Sequence, residues 1–173
     1  YNKQQNKFKY YAIGDVNQPQ QGVPQCIVIE KSGKIWVGTN GKGIFMYDKN
    51  ADAFVQFMGN KNGGTLAGEN IFTMCDYGDY LVLGIHEGKL LKWHKRKNTI
   101  ETINSPDVHY KVLRTTAFFD EKIWVGTHSG LFIIDELQEK TVWLKRDPIS
   151  SYLLSDNVIE KVYKDREGGI WVA

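Results

Sequence analysis

The sequence is 173 residues long, one domain's worth by length, and enough to bury about two thirds of its unfolded surface. Its 22 Lys and Arg against 20 Asp and Glu leave a net charge of +2, so charge gives no reason to expect a nucleic-acid or anionic-membrane partner. With 42% hydrophobic residues, 17 Gly, 5 Trp, 9 Tyr, 8 Phe and 4 Pro, the composition excludes disorder and favours a turn-rich β protein. No apolar run approaches the roughly 20 residues of a membrane helix, and residues 1–11 carry no signal-peptide apolar stretch.

The chain is organised by a repeat. Residues 1–11 match 47–57 at an offset of 46, pairing Tyr1 with Tyr47 and Phe8 with Phe54, so residues 1–21 are expected to be the end of a partial unit. The unit at 22–58 divides into strand-like runs at 26–30, 34–39, 44–48 and 54–57, separated by Gly, Asn, Asp and Lys turns. The unit at 59–103 gives 71–75, 80–85, 90–94 and 99–103, and the unit at 104–145 gives 113–118, 122–127, 131–135 and 141–144. Residues 146–173 supply two more runs before the sequence stops.

The core of the repeat is Ile35-Trp36-Val37-Gly38-Thr39, which returns as Ile123-Trp124-Val125-Gly126-Thr127, as Ile170-Trp171-Val172, and more faintly as Leu81-Val82-Leu83-Gly84. Trp36, Val82, Trp124 and Trp171 are spaced by 46, 42 and 47 residues. Four strands every 45 residues or so predict an all-β fold: a β-propeller fragment of four-stranded antiparallel blades, with a solenoid as the weaker alternative. Runs apolar on both faces, such as Ile44-Phe45-Met46-Tyr47, fit sheets sandwiched between others. A variant closes a four-bladed ring by joining the N-terminal strand to the last two. Aligning Cys75 with Ile27 puts Cys26 one residue out of phase, so the two cysteines are expected to stay unpaired on opposite sheet faces.

The last unit, with Leu154, Ser155, Asn157, Asp165, Gly168 and Ile170-Trp171-Val172, closely resembles the two-component regulator propeller repeat. The first unit resembles it too, with Glu30 where the repeat has Asp, and the third from Ile123 to Thr127, after a first hairpin two residues shorter. The resemblance implies a non-catalytic module from the periplasmic sensor region of a hybrid two-component protein, anchored in the inner membrane. Membrane contact and dimerisation would come only through the parent protein, whose histidine kinase would answer to oligosaccharides. No cofactor is implied. The alternatives are a scaffold propeller for protein partners and a propeller glycan-active enzyme. The stretch from Asp165 to Trp171 also loosely resembles the Asp-box turn of sialidase propellers, a structural element.

Trp36, Trp124 and Trp171 recur where one ligand needs no copy in each blade, so they read as wedges between sheets. Gly38, Gly84 and Gly126 read as strand-end positions needing a free backbone. The turn that follows differs between units: Asn40 and Lys42, His86 and Glu87, His128 and Ser129. In a propeller these turns share a face with the interblade loops, at 12–21, 59–70, 104–111 and 145–155, so the six are the candidate ligand contacts. Arg114 and Lys161 are candidates for pointing into the central channel, Arg114 as an anchor for an anionic sugar or as a partner of Glu160 or Asp120. His86 and His128 as a metal pair is disfavoured, because packed sheets lie about 10 Å apart and no third ligand is evident. No acid pair, phosphate loop or nucleophile elbow indicates catalysis.

Overall fold

The computed structural model describes residues 3, 6–13, 22–57, 66–105, 108, 111–149 and 154–173. Strands β1 (Pro24–Ile29), β2 (Ile35–Thr39), β3 (Ile44–Asp48) and β4 (Ala53–Phe57) pair in that order in one antiparallel sheet. A second holds β5 (Thr73–Tyr77), β6 (Tyr80–Gly84), β7 (Leu90–His94) and β8 (Thr99–Thr102), and a third β9 (Leu113–Phe119), β10 (Lys122–Thr127), β11 (Gly130–Asp135) and β12 (Lys140–Leu144). Hairpin β13 (Val162–Lys164) and β14 (Ile170–Val172) begins a fourth. The first strands stand side by side, β1 against β5, β5 against β9 and β9 against β13. This is the radial order of a β-propeller, with blades one to four placed along an arc.

Each core cluster lies between two neighbouring blades. On β6, Leu81 and Leu83 face Val28, Trp36 and Ile44 of blade one, while Val82 faces Leu113, Ile123 and Val125 of blade three. The period-2 alternation of a strand therefore feeds two apolar layers at once, which is why these runs are apolar throughout. Leu131, Ile159 and Val162 form the third layer.

The repeated tryptophans have unequal fates. Trp36 is 3% exposed, meets Phe57 and Trp93 edge-on at 5.9 and 5.2 Å, and donates its indole N–H to Glu30 Oε1 at 2.7 Å. Trp93, on β7, enters this same layer from blade two, whereas Val82 faces the next layer, which is filled by Phe132 with Tyr77, Phe118 and Trp143 packed against it. Trp171 makes the same bond to Asp165 at 2.6 Å and is 64% exposed; among the described residues no further sheet packs on it. Trp124 is half-buried against Phe119, and its buried Nε1 has no hydrogen-bond partner. The cause is turn length. The β1–β2 and β13–β14 turns, at 31–33 and 166–168, leave an acid beside the indole, whereas β9 and β10 join through Asp120 and Glu121 alone, both at positive φ (53° and 57°). That turn is one residue shorter than the first unit's, not two.

The glycines of the repeat provide room. None of Gly38, Gly84 and Gly126 has positive φ, contrary to the free-backbone expectation. A Cβ would stand 2.7 Å from Ile71 at Gly38, 2.9 Å from Leu113 at Gly84 and 2.7 Å from Ile159 at Gly126, each the residue by which the next blade enters. The threonine beside the glycine completes the joint. Thr39 Oγ1 donates to the Gly43 carbonyl at 2.8 Å, and its own carbonyl accepts the Ile71 N–H at 2.9 Å; Thr127 does the same with Gly130 and Ile159.

Both cysteines are free, but not for the reason expected. Cys26 pairs with Gly38 and Cys75 with Val82, so Cys75 corresponds to Val28 and the two cysteines share a phase. The β5–β6 turn, one residue shorter than the β1–β2 turn, had hidden this. In phase, each points toward the blade after its own. Cys26 packs on the layer between blades one and two and Cys75 lies in the next layer, with the second sheet between them. Burial pushes both thiols up to about 12.

By the 46-residue offset Tyr11 corresponds to Phe57 and Tyr47 to Trp93. Tyr11 packs on Tyr47 at 5.6 Å as Phe57 packs on Trp93 at 4.6 Å, and Lys9 pairs with Asp52. Residues 8–13 form no strand, and they lie against blade one, so they do not complete the β13–β14 sheet. Ring closure with four blades is not realised. Tyr1, most of the 12–21 and 59–70 loops, and parts of the 104–111 and 145–155 loops fall outside the described residues.

An ionic cluster ties blades one and two on the face away from the candidate site. Glu30 accepts from Trp36 and from Ser32 (2.8 Å) and lies 3.4 Å from Lys95, which also pairs with Asp76 at 2.5 Å. Burial works to raise the Glu30 pKa, but the bonds from Ser32 and Trp36 and the Lys95 charge outweigh it and hold it below the ordinary glutamate value. A depressed folded pKa stabilises above the unfolded value, about 4.3, and that stability is lost as pH falls through the folded pKa. Glu30→Gln should therefore flatten the fall in melting temperature below about pH 4.5; an acid-side profile identical to the parent's would remove Glu30 from the cause.

Candidate functional site

The strand pattern sets the position of the site. The turns β2–β3, β6–β7 and β10–β11 emerge on one face, beside the segments that lead into the next blade. Between blades two and three this face opens into a cleft of about 340 Å³, lined by Phe72, Ile85, Val112 and Leu113, with His86, Glu87, Gly88 and Lys111 at its rim. Its walls are forced by the chain. The β6–β7 turn bends tightly at His86–Gly88, with Glu87 at φ 59° and Gly88 at 71°. A Cβ on Gly88 would stand 2.3 Å from the Val108 carbonyl, so only glycine lets the turn close on the incoming segment. Phe72 is fixed by its N–H bond to the Gly84 carbonyl, and Val112 by accepting the His128 N–H at 3.1 Å.

The charges at the cleft are partly matched. Glu87 lies 3.0 Å from Lys89, and Lys111 sits over the Trp143 ring at 5.0 Å. At the start of β9, Arg114 Nε donates to His128 Nε2, and its Nη2 is 3.4 Å from Glu160. Arg114 thus pairs with Glu160, one of its two expected partners, and not with Asp120, which is bonded to Lys164. Lys161 is exposed, and its charge reaches Cys26 of blade one. Among the described residues no group of three or more His, Cys, Asp and Glu is placed to hold a metal ion.

Of the sequence candidates, the structure brings together His86 and Glu87 in the cleft and His128 and Arg114 beside it. Asn40 and Lys42 belong to the blade-one turn, and their backbone is engaged locally: Asn40 with Gly22 and Val23, the Lys42 carbonyl with Gln56. Ser129 acts structurally, donating its N–H to Thr127 Oγ1 and accepting the Trp143 indole. Sequence reasoning missed Phe72, Lys111 and Val112, which lie in blade-entry segments with no repeat signature. Their signal was only that such segments share a face with the variable turns. The entry to blade four is held by its own short polar side chains: Asp156 accepts the Val158 N–H, Asn157 accepts the Arg146 N–H, and the backbone bonds from Val158 and Asn157 hold the Asp156 carboxyl below its usual range.

These features define a propeller arc with a cleft between two blades, and solved structures share that fold. The extracellular domain of BT4673 from B. thetaiotaomicron, described as a hybrid two component system, superposes with a TM-score of 0.68 at 19% identity, over 86% of this chain and 20% of that one. That of BT3049 from the same organism, described likewise, gives 0.66 at 18% identity over 99% and 28%. PorZ, a surface component of the type-IX secretion system of Porphyromonas gingivalis, gives 0.65 at 15% over 90% and 25%. At these identities the likeness is one of fold, and the chain spans between a fifth and just over a quarter of each. No family model matches the sequence, and no curated protein matches it.

Proposed function

We propose that this chain is part of the periplasmic sensor region of a hybrid two-component signalling protein and serves as a non-catalytic module that recognises an oligosaccharide. The cleft between blades two and three carries the reading: an apolar floor of Phe72, Val112 and Leu113 suits a sugar face, and the His86, Glu87 and Lys111 rim suits its hydroxyls. Two fold neighbours are extracellular domains of proteins described as hybrid two component systems, which agrees with the repeat resemblance. Among the described residues no helix is long and apolar enough to cross a membrane, and the anchor and the kinase are assigned to the parent protein.

The test is calorimetry of the complete sensor region against a panel of glycans. His86→Ala and His128→Ala should each weaken the cognate glycan by about tenfold, the effect of one lost polar contact. Unchanged affinity in both variants would remove this cleft from the binding surface.

A further inference from the structure

We propose that Arg114 is the receptor for an acidic group, a carboxylate or sulfate, on the ligand of this cleft, and that Glu160 holds its place until that ligand arrives. The inference rests on reading the cleft as an oligosaccharide site and gives its ligand a chemical class.

Arg114 lies two residues beyond Val112 at the start of the inner strand, where the pairing with β10 skips it: Thr127 faces Leu113 and Gly126 faces Thr115. Val112 and Arg114 are both exposed, whereas Leu113 between them is buried. A ligand lying over Val112 therefore meets the guanidinium next as it runs toward the channel. His128 fixes the group by accepting from Nε, and its turn is itself tied to Val112 by the backbone bond. With the Nε edge occupied, the two terminal nitrogens form the fork that matches a carboxylate or sulfate in a bidentate pair.

The present occupant of that fork is poorly held. Glu160 Oε1 is 3.4 Å from Nη2, against the 2.7 to 2.9 Å of a good charge-assisted bond, and the two side chains are 41% and 57% exposed. An exposed pair of this kind contributes little, so a ligand anion displaces it at small cost. The other carboxylate at the cleft, Glu87, is offset by Lys89, and Lys161 next to Glu160 adds a cation on the channel side.

The experiment uses the full-length protein and three probes: tetragalacturonate, a sulfated chondroitin tetrasaccharide, and neutral galactotetraose. Arg114→Gln should weaken whichever acidic probe binds by at least about tenfold and leave the neutral probe within about twofold; Glu160→Gln should tighten the acidic probe about threefold. The uronate and sulfate arms tell which anion the fork takes. An acidic probe bound equally by parent and Arg114→Gln, or a neutral probe bound as tightly as the acidic ones, overturns the proposal. If the neutral probe still depends on His86, the cleft reading survives that failure; if no probe binds the parent, both readings fall.

Discussion

Trp36→Ala should cost about 3 to 5 kcal/mol of stability, the range for removing a buried large aromatic. The side chain is 3% exposed, closes the layer between blades one and two against Phe57 and Trp93, and its loss also strips Glu30 of its indole donor. Trp124→Ala should cost clearly less, because Trp124 is only half-buried and already leaves its Nε1 unbonded. Thermal or denaturant unfolding of the two variants measures the difference. Equal losses would contradict the unequal burial.

Gly43→Ala should be the most damaging of the glycine substitutions, at about 3 kcal/mol, from a left-handed backbone worth about 1 to 2 and a clash worth about 1 to 3. Gly43 has φ +70°, and a Cβ there would lie 1.9 Å from the carbonyl oxygen of Leu66. Leu66 is fully buried, and Gly43 itself donates to the Glu69 carbonyl at 3.0 Å, so neither side of the contact has room to retreat. Gly33→Ala is the control. It shares the positive φ, +83°, but has nothing within 4 Å, so only the backbone part should be lost. Indistinguishable melting of the two variants would show that the close approach to Leu66 does not matter.

The strands were legible because both of their causes are local. Glycine-rich and Asp- or Asn-containing turns mark the ends, and doubly apolar runs mark sheets buried on both sides, so observed boundaries fall within two residues of those expected. What escaped were relations between units. Glu30 looked like a departure from the repeat, yet it binds its tryptophan as Asp165 does, because the indole needs a carboxylate at that distance and either acid supplies one. Val82 looked like a lost tryptophan, yet the layer it faces is filled by aromatics from other strands, Tyr77, Phe118, Phe132 and Trp143. The cysteine phase was misjudged because turns that differ by one residue shift an inner strand against its own hairpin partner, and aligning the apolar runs alone does not show it. The cleft was half legible. Its turn residues vary between units and stand out, while its floor comes from entry segments whose placement depends on how one blade leans on the next.

The layered core has a mechanical meaning. Among the described residues every apolar cluster joins one pair of adjacent sheets. Stability is then a chain of nearest-neighbour couplings, as in other repeat proteins, and there is no common interior through which a disturbance could spread in all directions. A molecule bound between blades two and three acts first on the angle between those two sheets, which is braced on their outer side by Lys92 and Glu136. Anything felt farther along must be handed on as a tilt, one blade at a time, through the inter-blade joints at Gly38, Gly84 and Gly126, where the Ile71, Leu113 and Ile159 side chains of the next blade rest directly on glycine backbone.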